Sequence, residues 1–468
     1  MQMDQSKAAG TAGEFCSSPV SKGRVIFPES IIGRVDVNFD MYSGYVNISS
    51  APDYLFYWFF STQDKNENAP LVVWTNGGPG CSSMEGATTE NGPLSLFDIK
   101  ESCQGADRAK CDYTQQLSKN PYAWNAHANV LYLDQPKNVG YSFGYGSETK
   151  SSVEAADDFI IFYHNWLQLF PEFVGRALII AGESYGGHYI PAWANAILNW
   201  NENIVDPTKR INFGGVAIGN GCVNNTVQST DQFIKFQQEC RLIPPASNPK
   251  SYAVAYSEMV SHLGYVPNYY DYRIESISCS ACYGYNYTAW SNWFLQSEVL
   301  TALNVCGAAG DDAFSGSAGG CISLGSFDAR DSFDYSGAVA RTLEAGVPVT
   351  FYYGKTDTAC NYVGGQALAE SISWSGQQDF GRSEYTPLII AGATVGQVKR
   401  SGGLSLFLVE SAGHMVRLTI ALILSTQFEV PIRYFVQCRF PRTNRRRPLL
   451  PSCLSWRASR EGDGCRRS

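Results

Sequence analysis

The pentapeptide Gly182-Glu183-Ser184-Tyr185-Gly186 follows a continuous apolar run, 177–181, and precedes a stretch able to form a helix. The chain must turn from strand to helix within these residues, and the flanking glycines permit a turn sharp enough to push the Ser184 hydroxyl out at the sheet edge. Strand followed by helix implies a largely parallel sheet with helices over its faces. The rest of the chain repeats that pattern. Short β-rich runs lie at 71–75, 130–134, 177–181, 216–219, 347–353 and 404–409, and all but the last end in or run into glycine, asparagine or aspartate. Continuous apolar strands are expected where both sheet faces are covered. Two further segments, 42–49 and 55–61, read as a strand pair turned through Ser50, Pro52 and Asp53. The clearest helix is predicted at 152–169, from a capping serine to the residue pair before Pro171.

The chain of 468 residues suits one large α/β domain with an insertion, or two domains. A net charge of −8 argues against a nucleic-acid partner. No run approaches the roughly 20 apolar residues that span a bilayer, so no membrane segment is expected. Fourteen cysteines point to an oxidising compartment. The sequons Asn47-Ile48-Ser49, Asn224-Asn225-Thr226 and Asn286-Tyr287-Thr288 agree. Residues 1–13 are polar and hold no apolar leader core, and the cysteine usage leads us to expect an incomplete start.

Three boundaries follow from the text. Residues 1–221 and 329–416 carry the strand–helix rhythm as two parts of one core. Residues 222–328 interrupt it with six cysteines (Cys222, Cys240, Cys279, Cys282, Cys306, Cys321) and many aromatics, and read as a disulfide-tied cap. Spacing does not choose among the pairings. Cys279 and Cys282 have the spacing of a redox or zinc motif but lack a second ligand pair, so structural disulfides are expected. Residues 417–468 hold eleven arginines, no lysine and three acidic residues. That tail reads as misread or disordered sequence more readily than as a nucleic-acid-binding arm.

A serine nucleophile needs a base, and the base needs an orienting acid. Of five histidines, only His262 and His414 lie well beyond Ser184. His262 falls in the insertion. His414 follows the run 404–409 in the loop Ser411-Ala412-Gly413-His414, and Asp357 follows the run 347–353. Each stands where a strand delivers its loop, which makes them the expected base and acid. His188, four residues past Ser184, is expected to support the elbow by packing or hydrogen bonding. An oxyanion needs two fixed N–H donors. One is expected from Tyr185, the other from the loop Asn76-Gly77-Gly78-Pro79-Gly80-Cys81-Ser82-Ser83.

These blocks, with Leu55-Phe56-Tyr57-Trp58-Phe59, Glu90-Asn91-Gly92-Pro93, Asp134-Gln135-Pro136, Ile218-Gly219-Asn220-Gly221, Cys360-Asn361 and Ala412-Gly413-His414-Met415-Val416, make the sequence resemble the serine carboxypeptidases. The resemblance runs from about residue 42 to 416. It implies the α/β-hydrolase fold, a Ser184–Asp357–His414 triad and an oxyanion hole at Gly78 and Tyr185. It further implies that Asn76, Glu90 and Glu183 hold the terminal carboxylate of a peptide or protein, with Gly77, Cys360 and Met415 also at the substrate. Cys360 would be a free thiol lining the pocket, and Cys81 would pair with a cysteine near the insertion's end, Cys321. Glu85 and Thr89 would face the leaving residue, an acidic Glu85 favouring basic C-terminal residues. The implied activity is removal of C-terminal residues through an acyl-enzyme, favoured at acidic pH, with no metal or organic cofactor, in a secreted, vacuolar or lysosomal protein.

The resemblance also predicts a closing helix after the histidine loop, and this text departs from the pattern after Val416. Loss of that helix would loosen the loop holding His414. The alternatives are a related acyltransferase or an inactive truncated relative. Oligomeric state is left open.

Overall fold

The computed structural model describes residues 21–33, 35–50, 52–97, 113–276, 287–306, 320–328, 331–390 and 392–416. The predicted tail, 417–468, and the Cys279–Cys282 pair lie outside them. Among the described residues one twelve-stranded sheet dominates. Its strands are β1 (Gly23–Arg24), β2 (Met41–Asn47), β3 (Asp53–Phe60), β4 (Leu71–Thr75), β5 (Asn129–Leu133), β6 (Phe143–Gly144), β7 (Leu178–Glu183), β8 (Phe213–Gly219), β9 (Val349–Gly354), β10 (Thr386–Ile390), β11 (Ala393–Ser401) and β12 (Leu404–Val409). The order is β1-β2-β3-β5-β4-β7-β8-β9-β12-β11-β10, with β6 paired to β3. The run from β5 to β12 is parallel throughout. Antiparallel strands extend it at both ends.

Both faces of the sheet are covered, which is why its central strands are apolar at successive positions. In β4, Leu71 and Val73 join one core and Val72 and Trp74 the other. In β12, Leu404, Leu406 and Leu408 point one way and Phe407 and Val409 the other. This is the two-residue alternation of a strand with two dry faces.

One face is covered by the helices Ser152–Leu169, Gly186–Asn203, Ser336–Glu344 and Tyr362–Ser371. The first has the predicted bounds. Ser151 caps it, its side chain accepting from Glu154 N, and Phe159 stacks on Trp193 of the next helix at 3.9 Å. Such a ring pair contributes about 1 kcal/mol beyond its buried area. Val153, in its first turn, is an exposed apolar residue.

The described part of residues 222–328, expected as an insertion, contributes to both cores. Phe233, Phe236 and Met259 pack on the helix-covered face, and Trp290, Trp293 and Phe294 on the other. Cys81–Cys321 and Cys222–Cys360 bond it to the core. Pairing of the six insertion cysteines is therefore not confined to the insertion. The hairpin β10–β11 was not read from the sequence: β10 carries only the short apolar run Leu388-Ile389-Ile390, none of it buried, and β11 mixes polar residues and glycine with valines. No helix among the described residues is long and apolar enough to cross a membrane.

Candidate active site

The parallel strands deliver their loops to one end of the sheet, where a crevice forms in folds of this kind. Asn76 follows β4, Ser184 follows β7, Asn220 follows β8, Asp357 follows β9 and His414 follows β12. Residues far apart in sequence thus meet because their strands are neighbours.

Ser184 has φ +58°, a conformation that costs a non-glycine residue about 1–2 kcal/mol. Three backbone hydrogen bonds offset that strain. Ser184 N donates to Gly219 O (3.0 Å), and Ser184 O accepts from Gly187 N (2.9 Å) and Cys222 N (3.1 Å). The two glycines of the pentapeptide are not equivalent. A Cβ at Gly182 would stand 2.7 Å from Thr75 O, whereas at Gly186 the nearest atom would be 3.7 Å away. Only the first is demanded by close packing.

Asp357 is buried and surrounded by donors. Its Oδ2 accepts from His414 Nδ1 (2.8 Å), Asn220 Nδ2 (2.7 Å) and Cys360 N (3.1 Å), and its Oδ1 from Ala359 N (2.9 Å). His414 therefore turns Nε2 away from Asp357. That atom is buried and has no hydrogen-bond partner among the described residues, and His414 and Ser184 line one cavity. A hydroxyl-to-imidazole bond often tightens only when substrate is bound.

The loop holding His414 is anchored from the inserted region. His414 N donates to Tyr270 O (2.8 Å), and the Tyr270 ring stacks on the imidazole at 4.5 Å. Arg273 donates to Ser411 O (3.2 Å), and Thr356 N to Ala412 O (2.9 Å). His262, the other candidate base, sits exposed in the last turn of the insertion helix Tyr252–Leu263.

A carboxyl cluster lies beside the serine. Trp74 Nε1 and Gly86 N both donate to Asn76 Oδ1, at 2.7 and 3.1 Å. That fixes the amide so that Nδ2 donates to Glu90 Oε1 (3.1 Å) and Glu183 Oε1 (3.4 Å). Burial, and then the charge of Glu90 and a hydrogen bond with it, push the Glu183 carboxyl well above the usual range. Two buried carboxyls in such a pair share a proton.

Gly77 and Gly78 line the cavity. The loop that carries them is braced from behind by Asp134, which accepts from Ser82 Oγ (2.7 Å) and Ser83 N (2.7 Å). Burial pushes Asp134 up to about 6 despite these bonds.

A family model described as serine carboxypeptidase matches residues 29–252 and 248–421. The chain belongs to the serine carboxypeptidase family. Among curated relatives, Carboxypeptidase Y homolog A of Pyricularia oryzae is 32% identical over 421 residues, covering 80% of this chain and 69% of that protein. Its counterpart in Talaromyces marneffei is 32% identical over 436 residues, covering 84% and 72%. The crystal structure of Kex1, a prohormone-processing carboxypeptidase from Saccharomyces cerevisiae, aligns with a TM-score of 0.68. At 22% identity it covers 87% of this chain and 95% of its own, which bears out the α/β-hydrolase fold.

This serine carboxypeptidase departs from the expected pattern at Cys360. The residue is not a free thiol lining the pocket but is bonded to Cys222 and buried. The bond forms because the loop after β8 and the loop after β9 emerge from adjacent parallel strands. Cys81 does pair with Cys321, as the resemblance implied. Met415 lines the cavity. Glu85 lines it as well, whereas Thr89 turns its hydroxyl back to Glu85 O (2.8 Å).

Sequence reasoning gave no role to three residues that shape the site. Asn220, quoted only inside a matching block, bridges Asp357 and Gly354 N (3.0 Å). Tyr270 supports His414. Tyr287 Oη donates to Glu85 Oε1 (2.5 Å) in the cavity wall. Both tyrosines come from the insertion, where no motif marked them. His188 supports the elbow as expected, through Asp331 (3.2 Å).

Proposed function

We propose that Ser184 attacks the last peptide carbonyl of a peptide or protein while His414 Nε2 takes the hydroxyl proton. Asp357 holds the imidazole in the required tautomer. The N–H groups of Gly78 and Tyr185 receive the developing oxyanion. His414 then passes the proton to the leaving amine, and water hydrolyses the acyl-enzyme by the same route. The observation that carries this reading is the Asp357–His414 bond at 2.8 Å, aimed into the cavity that Ser184 shares. A fluorophosphonate should label Ser184, and Ser184→Ala should abolish both labelling and C-terminal residue release. Labelling elsewhere, with activity kept, would overturn the assignment.

Asn76, Glu90 and Glu183 recognise the free C-terminal carboxylate, which favours a peptidase over an acyltransferase. Below the raised pKa of Glu183 the pair keeps a proton and can donate it to that carboxylate. As pH rises through this value the proton is lost and two negative charges repel the substrate. KM for peptides should therefore rise with pH, by up to about tenfold per pH unit once the pair ionises. Glu90→Gln should flatten that rise to within about threefold between about pH 4 and pH 8. An unchanged slope would remove Glu90 from carboxylate recognition. An acid preference fits a secreted or vacuolar setting.

Glu85 gives the leaving-residue side of the cavity an acidic wall, and the reading is that basic C-terminal residues are favoured. Glu85→Leu should shift the ratio of kcat/KM for Lys over Leu release by about tenfold or more toward Leu, the scale of a lost charge-assisted bond. An unchanged ratio in a competition assay would exclude Glu85 as a selector.

A further inference from the structure

The carboxylate of Asp331 gathers five hydrogen bonds from four residues. Oδ1 accepts from Ser152 N (2.9 Å) and Tyr335 Oη (2.6 Å). Oδ2 accepts from Ser152 Oγ (2.6 Å), Tyr185 Oη (2.7 Å) and His188 Nδ1 (3.2 Å). Two of these partners lie on the nucleophile elbow, one and four residues past Ser184. The Tyr185 ring is further packed against His188 at 4.2 Å and against Phe327 at 6.0 Å, so its side chain is held on several sides. Phe327 and Asp331 belong to the segment returning from the inserted region to the core.

We infer that Asp331 is a positioning residue for catalysis: by fixing the Tyr185 side chain it fixes the Ser184–Tyr185 peptide and so aims the Tyr185 N–H at the oxyanion. The inference rests on the proposed role of Tyr185 in the oxyanion hole. A tyrosine side chain anchored at its hydroxyl and along its ring cannot rotate about its own Cα without breaking those contacts. The peptide N–H, attached to the same Cα, is thereby held in one direction. An oxyanion donor acts only in the transition state, so misdirecting it lowers kcat and spares KM. Burial alone would push the Asp331 carboxyl up, but the bonds from His188, Ser152, Tyr335 and Tyr185 hold it well below the usual range, which agrees with a carboxylate serving these donors.

Asp331→Asn replaces one acceptor oxygen by an NH2 group facing at least two donors. It should lower kcat by about 10- to 100-fold, less than the roughly 10²- to 10³-fold that follows outright removal of an oxyanion donor. KM should stay within about twofold. Tyr185→Phe keeps the backbone N–H and removes only the hydroxyl, and should lower kcat by about tenfold. The double variant should be no worse than Asp331→Asn, because the two remove one interaction. Active sites are counted by fluorophosphonate so that unfolded protein does not enter kcat. Multiplicative losses in the double variant would overturn the inference. So would a lower Tm with kcat within about twofold of wild type, and Tyr185→Phe alone supplies that test if Asp331→Asn does not fold. If Ser184→Ala remained active, the reading of the elbow itself would fail, and that outcome is separate from these.

Discussion

Asp357→Asn should lower kcat about 10⁴-fold while KM stays within about threefold. Every partner of the Asp357 carboxylate is a donor: His414 Nδ1, Asn220 Nδ2 and Cys360 N at Oδ2, and Ala359 N at Oδ1. An amide cannot satisfy that set. With its NH2 at the Oδ2 position it faces three donors, and His414 is forced into the tautomer that cannot take the Ser184 proton. With its NH2 at the Oδ1 position it confronts Ala359 N–H, and the imidazolium that forms in the transition state has lost its counter-charge. Either way the loss falls on the chemical step. The buried mismatch also costs about 1–3 kcal/mol of stability, so kcat is read on protein shown by thermal melting to be folded. Ser184→Ala combined with Asp357→Asn should be no worse than Ser184→Ala alone if, as proposed, the two belong to one triad, because a triad acts as a unit. A kcat within about tenfold of wild type would remove Asp357 from the triad.

Gly77→Ala should lower kcat by at least about 10²-fold. A Cβ on Gly77 would stand 2.5 Å from Tyr185 N, 2.7 Å from Glu183 O and 3.0 Å from Ser184 Cβ. The first two are backbone atoms of the strained elbow, which cannot step aside as the tip of a flexible side chain can. The glycine-rich loop must therefore move off the elbow, and the added methyl stands against the N–H proposed to receive the oxyanion. Both donors then lose their aim at once. Gly337→Ala is the matched control. Gly337 lies exposed in the helix Ser336–Glu344, and beyond the helix's own backbone and its chain neighbours nothing among the described residues stands within 4 Å of a Cβ there. That substitution should leave kcat unchanged and raise stability by a few tenths to about 1 kcal/mol. Equal behaviour of the two variants would show that the contact between loop and elbow is not needed for catalysis.

Much of the fold was legible because its central strands are dry on both faces. Runs such as 71–75 and 404–409 are apolar at successive positions, and few other environments demand that. The elbow serine was legible for a local reason, since its turn chemistry is written in adjacent residues. Asp357 and His414 were legible by position, each shortly past a recognisable strand. The edge hairpin β10–β11 carried a weaker signal, a run of only three apolar residues, Leu388-Ile389-Ile390, because strands at the rim are not dry on both faces.

The state of Cys360 shows where reading from likeness gives way. A thiol and a half-disulfide are the same letter, and the difference depends on Cys222 lying at the end of the neighbouring strand. The support of His414 is similar. The text after Val416 left the histidine loop without a visible partner, yet Tyr270 and Arg273, more than 130 residues earlier in the chain, hold it.

The sequence alone pointed to the proposed nucleophile, acid and base and to the parallel sheet that presents them, because each is encoded within a strand and the loop directly after it. Only the tertiary structure decided that Cys360 pairs with Cys222, what steadies His414 and how Asp331 reaches Tyr185. Those are contacts between segments far apart in the chain. They exist because strand order and the return of the insertion bring the segments together, and no local pattern records that.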